Sequence, residues 1–271
     1  MSKPAATQIN RYRALVEHIF FDPAFGAYTP DKTEIAFERE DLERAAEALG
    51  IKLPKNLGDV LYSIRYRTPL PESVLGTEPE GREWIVEGAG RARYRFVLVP
   101  INRIVPNRDL ITIQIPDATP EIIGAYTLND EQALLAKVRY NRLIDTFLGV
   151  TAFSLQNHLR TTVKGVGQIE IDEVYVAVDR HGVQYVIPVQ AKGGSDQLSV
   201  VQAKQDIACC AEKFPNLVCR SISAQFMDDD RIAVFELTVQ DDQVRIVQER
   251  HYKLVTGPVS PEDLALYRRS A

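Results

Sequence analysis

Apolar and polar residues follow two different periods along this chain of 271 residues. Apolar positions three or four residues apart predict helices, and strict alternation predicts strands. In the first part of the chain, helices are predicted at 9–21, 40–50 and 56–67, and strands at 33–37, 83–88 and 92–99. The predicted order is therefore helix, strand, helix, helix, strand, strand.

Local signals predict where several of these helices begin and end. Gly50 suits the left-handed position that follows a helix. Asn56 is predicted to cap the third helix, with Asp59 in its first turn. At the far end of the chain, Ser260 is predicted to cap a last helix, with Pro261 at its first position and Asp263 at its third.

The second part of the chain begins with a proline-containing connection and one strand candidate at 110–115. We place the domain boundary near 116, which gives domains of 1–115 and 116–271. A long helix is predicted at 130–149, with Asn129 as its cap and Gly149 as its stop. Residues 151–167 are predicted to form a loop or a short helix. The remaining predictions are strands at 169–176, 183–191, 217–226, 231–239 and 243–255, and a helix at 199–214.

The helix at 199–214 has one apolar stripe. The stripe consists of Val200, Ala203, Ile207, Cys210 and Phe214. This spacing predicts that Cys210 is a core thiol. Gln202, Gln205 and Asp206 are expected on the opposite side of the helix.

The first six elements resemble a winged helix-turn-helix domain, over about residues 8–100. The resemblance rests on element order. It implies a DNA-binding role, in which the third helix is the recognition helix and the hairpin is the wing. The residues that would contact DNA are Asn56, Arg65, Arg67, Arg91, Arg93 and Arg95, with Lys55 and Ser63 also on the third helix.

Charge gives a mixed indication about a nucleic-acid partner. The chain carries 32 Lys+Arg and 37 Asp+Glu, so its net charge is −5, whereas nucleic-acid binders are usually basic. In "GRARYR", however, Arg91, Arg93 and Arg95 occupy alternate positions, which predicts one cationic strand face suited to phosphate. The alternative is a solvated strand whose arginines pair with Glu83 and Glu87 across the hairpin.

Cysteine content and hydropathy exclude other classes. Three cysteines without a signal sequence argue against a disulfide framework, and no histidine lies at a zinc-like spacing from them. No apolar run approaches the roughly 18 to 20 residues of a membrane helix. We therefore expect a cytoplasmic protein with no membrane partner.

Charged residues gather at the ends of two adjacent predicted strands. Glu170 and Asp172 share one face of "IEIDEVYV", and Gln190 and Lys192 share one face of the strand that ends in "VQAK". Antiparallel pairing would bring these faces together. The alternative is that they are solvated strand ends.

A helix, a strand carrying Asp, a turn, a strand ending in Q-x-K and a further helix resemble the PD-(D/E)xK nuclease core. That core is the fold of many restriction endonucleases, and the "QAK" spelling resembles the Mrr-like branch. The resemblance covers about residues 128–226. It implies that Asp172 and Gln190 bind a metal, that Lys192 assists the attacking water, and that Glu131 corresponds to an acid on the preceding helix. Which of Glu170, Asp172 and Glu173 is the main ligand stays open, with Asp172 preferred.

Phosphodiester hydrolysis explains this set of residues. A divalent metal polarises the phosphate and lowers the pKa of the attacking water. Mg²⁺ takes oxygen ligands, often one or two carboxylates with phosphate and water. The glutamine at position 190 removes one negative charge from the family's commoner pattern, so a second metal is not expected unless Glu170 or Glu173 substitutes for the missing acid.

The sequence therefore predicts an α/β protein in which an N-terminal winged helix-turn-helix is followed by a restriction-endonuclease-like domain with a mixed central sheet flanked by helices. The expected activity is Mg²⁺-dependent cleavage of double-stranded DNA by a homodimer, in restriction of foreign DNA. Two alternatives stay open. One is a non-catalytic DNA-binding regulator with a degenerate nuclease fold, and the other is a repair or recombination nuclease that acts on structured DNA.

Overall fold

The computed structural model describes residues 6–66, 69–101, 104–126, 131–193, 200–227, 230–241 and 243–270. Within these residues the chain forms two compact units. One comprises Met1–Ile101 with Thr162–Gln168, and the other comprises Asn102–Thr161 with Ile169–Ala271. The second unit thus begins ahead of the boundary predicted near 116.

The first unit contains helices packed on a small sheet. Its helices are α1 (Ala6–Phe21), α2 (Arg39–Ala48), α3 (Leu57–Tyr66) and α4 (Glu72–Leu75), and its strands are β1 (Glu34–Glu38), β2 (Arg82–Gly90) and β3 (Arg93–Pro100). The sheet order is β1-β3-β2, with both pairings antiparallel. The order of elements agrees with the prediction apart from the extra turn of α4.

The predicted helix ends of the first unit are present. Gly50 follows Leu49, the C-cap residue of α2, and has a φ of +64°, which glycine adopts without strain. The Asn56 side-chain oxygen accepts the N–H of Gly58 at 3.0 Å, so it caps α3 as predicted. The side chain of Asp59 lies outside what the structure describes.

The second unit is built on one mixed sheet. Its strands are β4 (Thr112–Pro116), β5 (Thr151–Val163), β6 (Gly167–Val178), β7 (Gln184–Lys192), β8 (Val218–Cys219), β9 (Ser221–Phe226), β10 (Arg231–Gln240) and β11 (Gln243–Val255), apart from the last residues of β5 and the first of β6, which fall within Thr162–Gln168. Its helices are α5 (Glu121–Tyr126), α6 (Glu131–Tyr140), α7 (Leu143–Leu148), α8 (Val200–Lys213) and α9 (Pro261–Ser270). The strand order is β4-β11-β10-β9-β7-β6-β5, with β8 beside β7.

Helices cover both faces of this sheet. Leu134, Leu143 and Phe147 of α6 and α7 pack with one face, and Ala203 of α8 packs with Phe235 on the other. Strand β7 is central, antiparallel to β6 and parallel to β9. The predicted class, a mixed α/β fold with a central sheet between helices, is therefore confirmed.

Two predictions of the second unit are wrong. Residues 151–163 form β5 rather than a loop or helix; most of this edge strand is exposed, so burial does not impose a clear apolar pattern on it. The long helix predicted at 130–149 is broken at Arg142, where φ is +49°. The break follows Asn141, a buried side chain whose oxygen accepts the N–H of Ala118 at 2.6 Å. The predicted cap Asn129 lies outside the described residues.

Pro188 is a buried residue of the central strand and lies opposite Val174 of β6. Proline cannot donate a hydrogen bond to a neighbouring strand. On the other side of β7, β8 pairs with Tyr185 and Val186, and β9 resumes pairing at Val189. Pro188 thus faces the gap between β8 and β9. No strand residue that the structure describes pairs with it on that side, so its missing N–H breaks no hydrogen bond there.

Candidate functional site

The end of β7 and the facing part of β6 carry the predicted site. The two strands are antiparallel, with Glu173 opposite Val189. Because successive side chains point to opposite faces, Asp172 and Glu170 share one face of β6, and Glu173 lies on the other. The predicted pairing of the two strands is confirmed.

Asp172 forms a hydrogen bond with the backbone near the end of β7. Its Oδ2 accepts the backbone N–H of Ala191 at 2.9 Å. Burial raises the pKa of the Asp172 carboxyl to about 6, against the opposing effects of the Ala191 N–H and of the Lys192 ammonium, while Glu131 raises it further. The carboxylate therefore lies in an environment that favours a nearby positive charge.

Gln190 is a buried amide, only 3% exposed, whose orientation is fixed by its neighbours. Its Nε2 donates to the backbone oxygen of Glu170 at 3.1 Å and to Oδ1 of Asp206 at 3.2 Å. Both partners are acceptor oxygens, so the amide nitrogen must face them. The amide oxygen, Oε1, is buried and has no hydrogen-bond partner among the described residues.

Lys192 ends β7 and forms an ion pair with the first residue of α6. Its Nζ lies 3.0 Å from Oε1 of Glu131. The Lys192 side chain is 15% exposed and that of Glu131 is 40% exposed, so the ammonium is held near the surface without full access to water. The structure thus brings Glu131, Asp172, Gln190 and Lys192 to one end of the sheet.

Glu170 has a different set of partners. Its Oε1 accepts a hydrogen bond from Nη2 of Arg160 at 3.1 Å and lies 3.6 Å from Nδ1 of His158. Both of these residues lie on β5. Only its backbone oxygen reaches Gln190. The carboxylate of Glu170 is therefore directed toward β5.

Glu173, the third carboxylate of β6, lies on the opposite face and is completely buried. Its Oε1 accepts Nε of Arg139 at 2.9 Å and the hydroxyl of Ser154 at 2.6 Å. Burial raises the pKa of Tyr175, and the adjacent Glu173 carboxylate raises it further. This geometry makes Glu173 part of a polar cluster that joins β6 to α6 and β5, on the face of β6 away from Asp172.

The sequence interpretation misplaced two residues of α8, Gln205 and Asp206. Both were expected on the side away from the apolar stripe, yet they are 6% and 1% exposed. Asp206 forms a hydrogen bond with Gln190. Burial raises the pKa of Asp206 well above its usual value; the Gln190 hydrogen bond opposes this shift, and the charge of Asp172 adds to it. Helical spacing does carry a signal for this burial, because Asp206 lies three residues after Ala203 and four before Cys210, both buried on α8. The partner, Gln190, lies on a different element and is not given by that spacing.

Carboxylates alone do not make up this centre. Across the part of the chain that the structure describes, no group of three or more His, Cys, Asp or Glu side chains is placed to hold a metal ion. The acceptor oxygens that meet here belong to Asp172 and Asp206 and to the amide of Gln190. Any cation at this position would therefore rely on the amide oxygen as well as on carboxylates.

The predicted DNA-contact residues of the hairpin differ in their surroundings. Arg91 is an exposed turn residue, ahead of β3. Arg93 is 70% exposed and lies 3.8 Å from Glu38. Arg95 pairs with Glu34 and Glu87, each at 3.1 Å, so the alternative of cross-strand pairing applies to Arg95.

The predicted contacts of the third helix are less accessible than expected. Ser63 is buried, at 5% exposure. Arg65 is half-buried near Tyr94, where its charge opposes the rise that burial causes in the pKa of that tyrosine. Asn56 is exposed and caps α3, and Arg67 lies outside the described residues.

Comparisons with known proteins do not place this chain in a family. A scan against protein-family models, a search of curated proteins and a search of solved structures each return no match. Among the helices that the structure describes, none has the length and apolar character needed to cross a membrane.

Proposed function

We propose that this protein is a Mg²⁺-dependent DNA endonuclease whose centre lies where the end of β7 meets the middle of β6. The observation that carries the proposal is the buried amide oxygen of Gln190. It is an acceptor without a partner among the described residues, and it lies on the strand whose backbone binds Asp172. An unpartnered buried acceptor costs free energy unless a donor or a cation meets it.

The residues fit a magnesium ion. Mg²⁺ is commonly bound through one or two carboxylates, with substrate phosphate and water completing its shell. Asp172 and the oxygen of Gln190 would hold it. When bound, the ion would polarise the phosphate and favour ionisation of the attacking water.

Lys192 and Glu131 have separate roles in this proposal. The Lys192 ammonium offsets negative charge that develops on the phosphate during hydrolysis, which is a large contribution in a partly dehydrated site. Glu131 positions that ammonium through the 3.0 Å ion pair. Glu170 contributes its backbone oxygen, which helps to orient Gln190.

The order of elements also supports a nuclease. Helix α6, strand β6 with Asp172, strand β7 with Gln190 and Lys192, and helix α8 occur in the order of the PD-(D/E)xK resemblance, with α7 and β5 inserted between α6 and β6. In the first unit, the order α1, β1, α2, α3, β2, β3 and the sheet order β1-β3-β2 support a winged helix that binds duplex DNA. We infer a homodimer, because cutting both strands requires two centres. The role we propose for this cleavage is restriction of foreign DNA, as the resemblance to restriction endonucleases implies.

The test is cleavage of supercoiled plasmid by the purified protein, with Mg²⁺ and with excess chelator. The proposal expects nicked or linear product only with the metal. Asp172→Asn and Lys192→Ala, purified in the same way, identify contaminating nuclease, because cleavage that persists equally in both variants does not come from this centre. Such persistence, or no cleavage of any duplex, would refute the proposal.

A second candidate is a DNA-binding regulator whose nuclease fold has lost its activity. The observation that favours it is the lack, within the described residues, of a group of three metal-binding His, Cys, Asp or Glu side chains. It predicts duplex binding that is the same with Mg²⁺ and with chelator, and no cleavage. A binding titration in parallel with the plasmid assay separates the two candidates.

A further inference from the structure

Asp206 is a buried carboxylate that the proposed reaction has not yet used. It lies on α8, it is 1% exposed, and its Oδ1 accepts the amide of Gln190 at 3.2 Å. Its other oxygen, Oδ2, is buried and has no hydrogen-bond partner among the described residues. A carboxylate in this position is costly unless a cation or a donor lies close to it.

Two side chains that are hydrogen-bonded to each other thus each carry an acceptor oxygen without a partner among the described residues. Oε1 of Gln190 and Oδ2 of Asp206 are both buried. The charges of Asp172 and Lys192 act on Asp206, which places it within the same electrostatic environment as the proposed centre. A hydrogen-bond donor would satisfy one of these oxygens, whereas a bound cation attracts every acceptor oxygen around it.

The Q-x-K strand lacks one acid relative to the commoner D/E-x-K spelling. We propose that Asp206 of α8 supplies the missing carboxylate, so that the metal-binding set is Asp172, Gln190 and Asp206. This assignment rests on the proposed function and names a third ligand for the same centre. It also gives a role to the buried contact between α8 and β7, which brings a negative charge to the amide.

The test is binding of Mn²⁺, used as a probe for Mg²⁺, by calorimetry without DNA. Asp206→Asn keeps the shape and keeps an oxygen that can accept the Gln190 amide, but it removes the charge. Loss of even an outer partner of a metal ligand typically lowers affinity by about 10- to 100-fold, so we expect a loss of at least tenfold. Thermal melting in chelator verifies that the variant is folded.

Two further variants make the result specific. The double variant Asp206→Asn with Gln190→Glu exchanges the acid and the amide between the two positions, and it should recover most of the lost affinity. Glu173→Gln is the matched control, because Glu173 is equally buried and has an unpartnered oxygen, but lies on the other face of β6. Its Mn²⁺ affinity should equal that of the parent.

The outcomes separate the two proposals. If the parent binds Mn²⁺ and Asp206→Asn binds it equally well, the Asp206 assignment is overturned and the nuclease proposal stands. Failure of the exchanged double variant to regain affinity, while it remains folded, also overturns the assignment. If the parent binds no Mn²⁺ without DNA, the Asp206 assignment is overturned. The nuclease proposal is then decided by the plasmid assay, because substrate phosphate can complete the metal's shell.

Discussion

Nζ of Lys192 lies 3.0 Å from Oε1 of Glu131, which joins the last residue of β7 to the first residue of α6. The two residues are far apart in the chain, so only the fold brings them together. The ion pair fixes the ammonium at the end of β7. The two residues before Lys192 on this strand are Gln190 and Ala191, and the N–H of Ala191 binds Asp172. This relationship makes Lys192 the most direct test of the centre.

Lys192→Ala should lower the rate of plasmid cleavage by about 100- to 1000-fold, because single electrostatic contributors to a transition state have effects of this size. Binding of uncut duplex should change little. Single-turnover cleavage and a separate binding titration measure the two effects. Lys213→Ala, which removes an exposed lysine of α8 paired with Glu212, is the control and should cleave like the parent. Equal rates for both variants would place the activity elsewhere.

The stability of the metal-free protein should depend on the titration of Asp172. Folding raises the pKa of this carboxyl from 3.8 to about 6. Between these values the folded state holds a proton that the unfolded chain has lost, so the free energy of unfolding falls as the pH rises through this range. The full effect is at most roughly 3 kcal/mol.

Asp172→Asn removes this titration while keeping an oxygen for the Ala191 N–H. In chelator, the variant should therefore gain stability relative to the parent between pH 4 and pH 7. Denaturant unfolding at several pH values measures the difference. A difference that stays constant across this range would show that Asp172 does not titrate as the structure indicates.

Gln190→Glu should lower stability without metal and restore it with metal. The amide nitrogen donates to two acceptors, Glu170 O and Asp206 Oδ1, and a carboxylate in its place leaves acceptors facing acceptors. An unsatisfied buried group typically costs about 1–3 kcal/mol. The melting temperature should therefore fall in chelator and rise steeply when Mg²⁺ is added, with cleavage retained. A melting temperature equal to that of the parent in chelator would contradict this account.

Arg91→Ala should weaken binding to duplex DNA and reduce its salt dependence. Each lost phosphate contact lowers the slope of log K against log salt by about 0.9. Arg91 is exposed in the hairpin turn, so folding should be unaffected. Arg95→Ala is the comparison, because that guanidinium already pairs with Glu34 and Glu87 and its loss should affect DNA binding less. Affinity and slope that remain the same after Arg91→Ala would refute the wing assignment.

Local sequence was enough to determine the features that depend on neighbours along the chain. Strand periodicity placed Asp172 on one face of β6, and Gln190 with Lys192 on one face of β7. Caps at Asn56 and Ser260 were likewise predictable, because a side chain there bonds to a backbone N–H two or three residues away. These features need only the chain's own geometry.

Contacts between distant segments decided the rest. The break after Asn141 follows from its bond to Ala118, and β5 is a strand because it pairs with β6 rather than because of its own pattern. Asp206 is buried because it shares the face of α8 that packs on the sheet through Ala203, where it meets Gln190 of β7. Helical spacing shows which residues share a face, but the partner that covers that face is set by the crossover from β7 through α8 to β9, so the tertiary structure alone brought this carboxylate to the candidate centre.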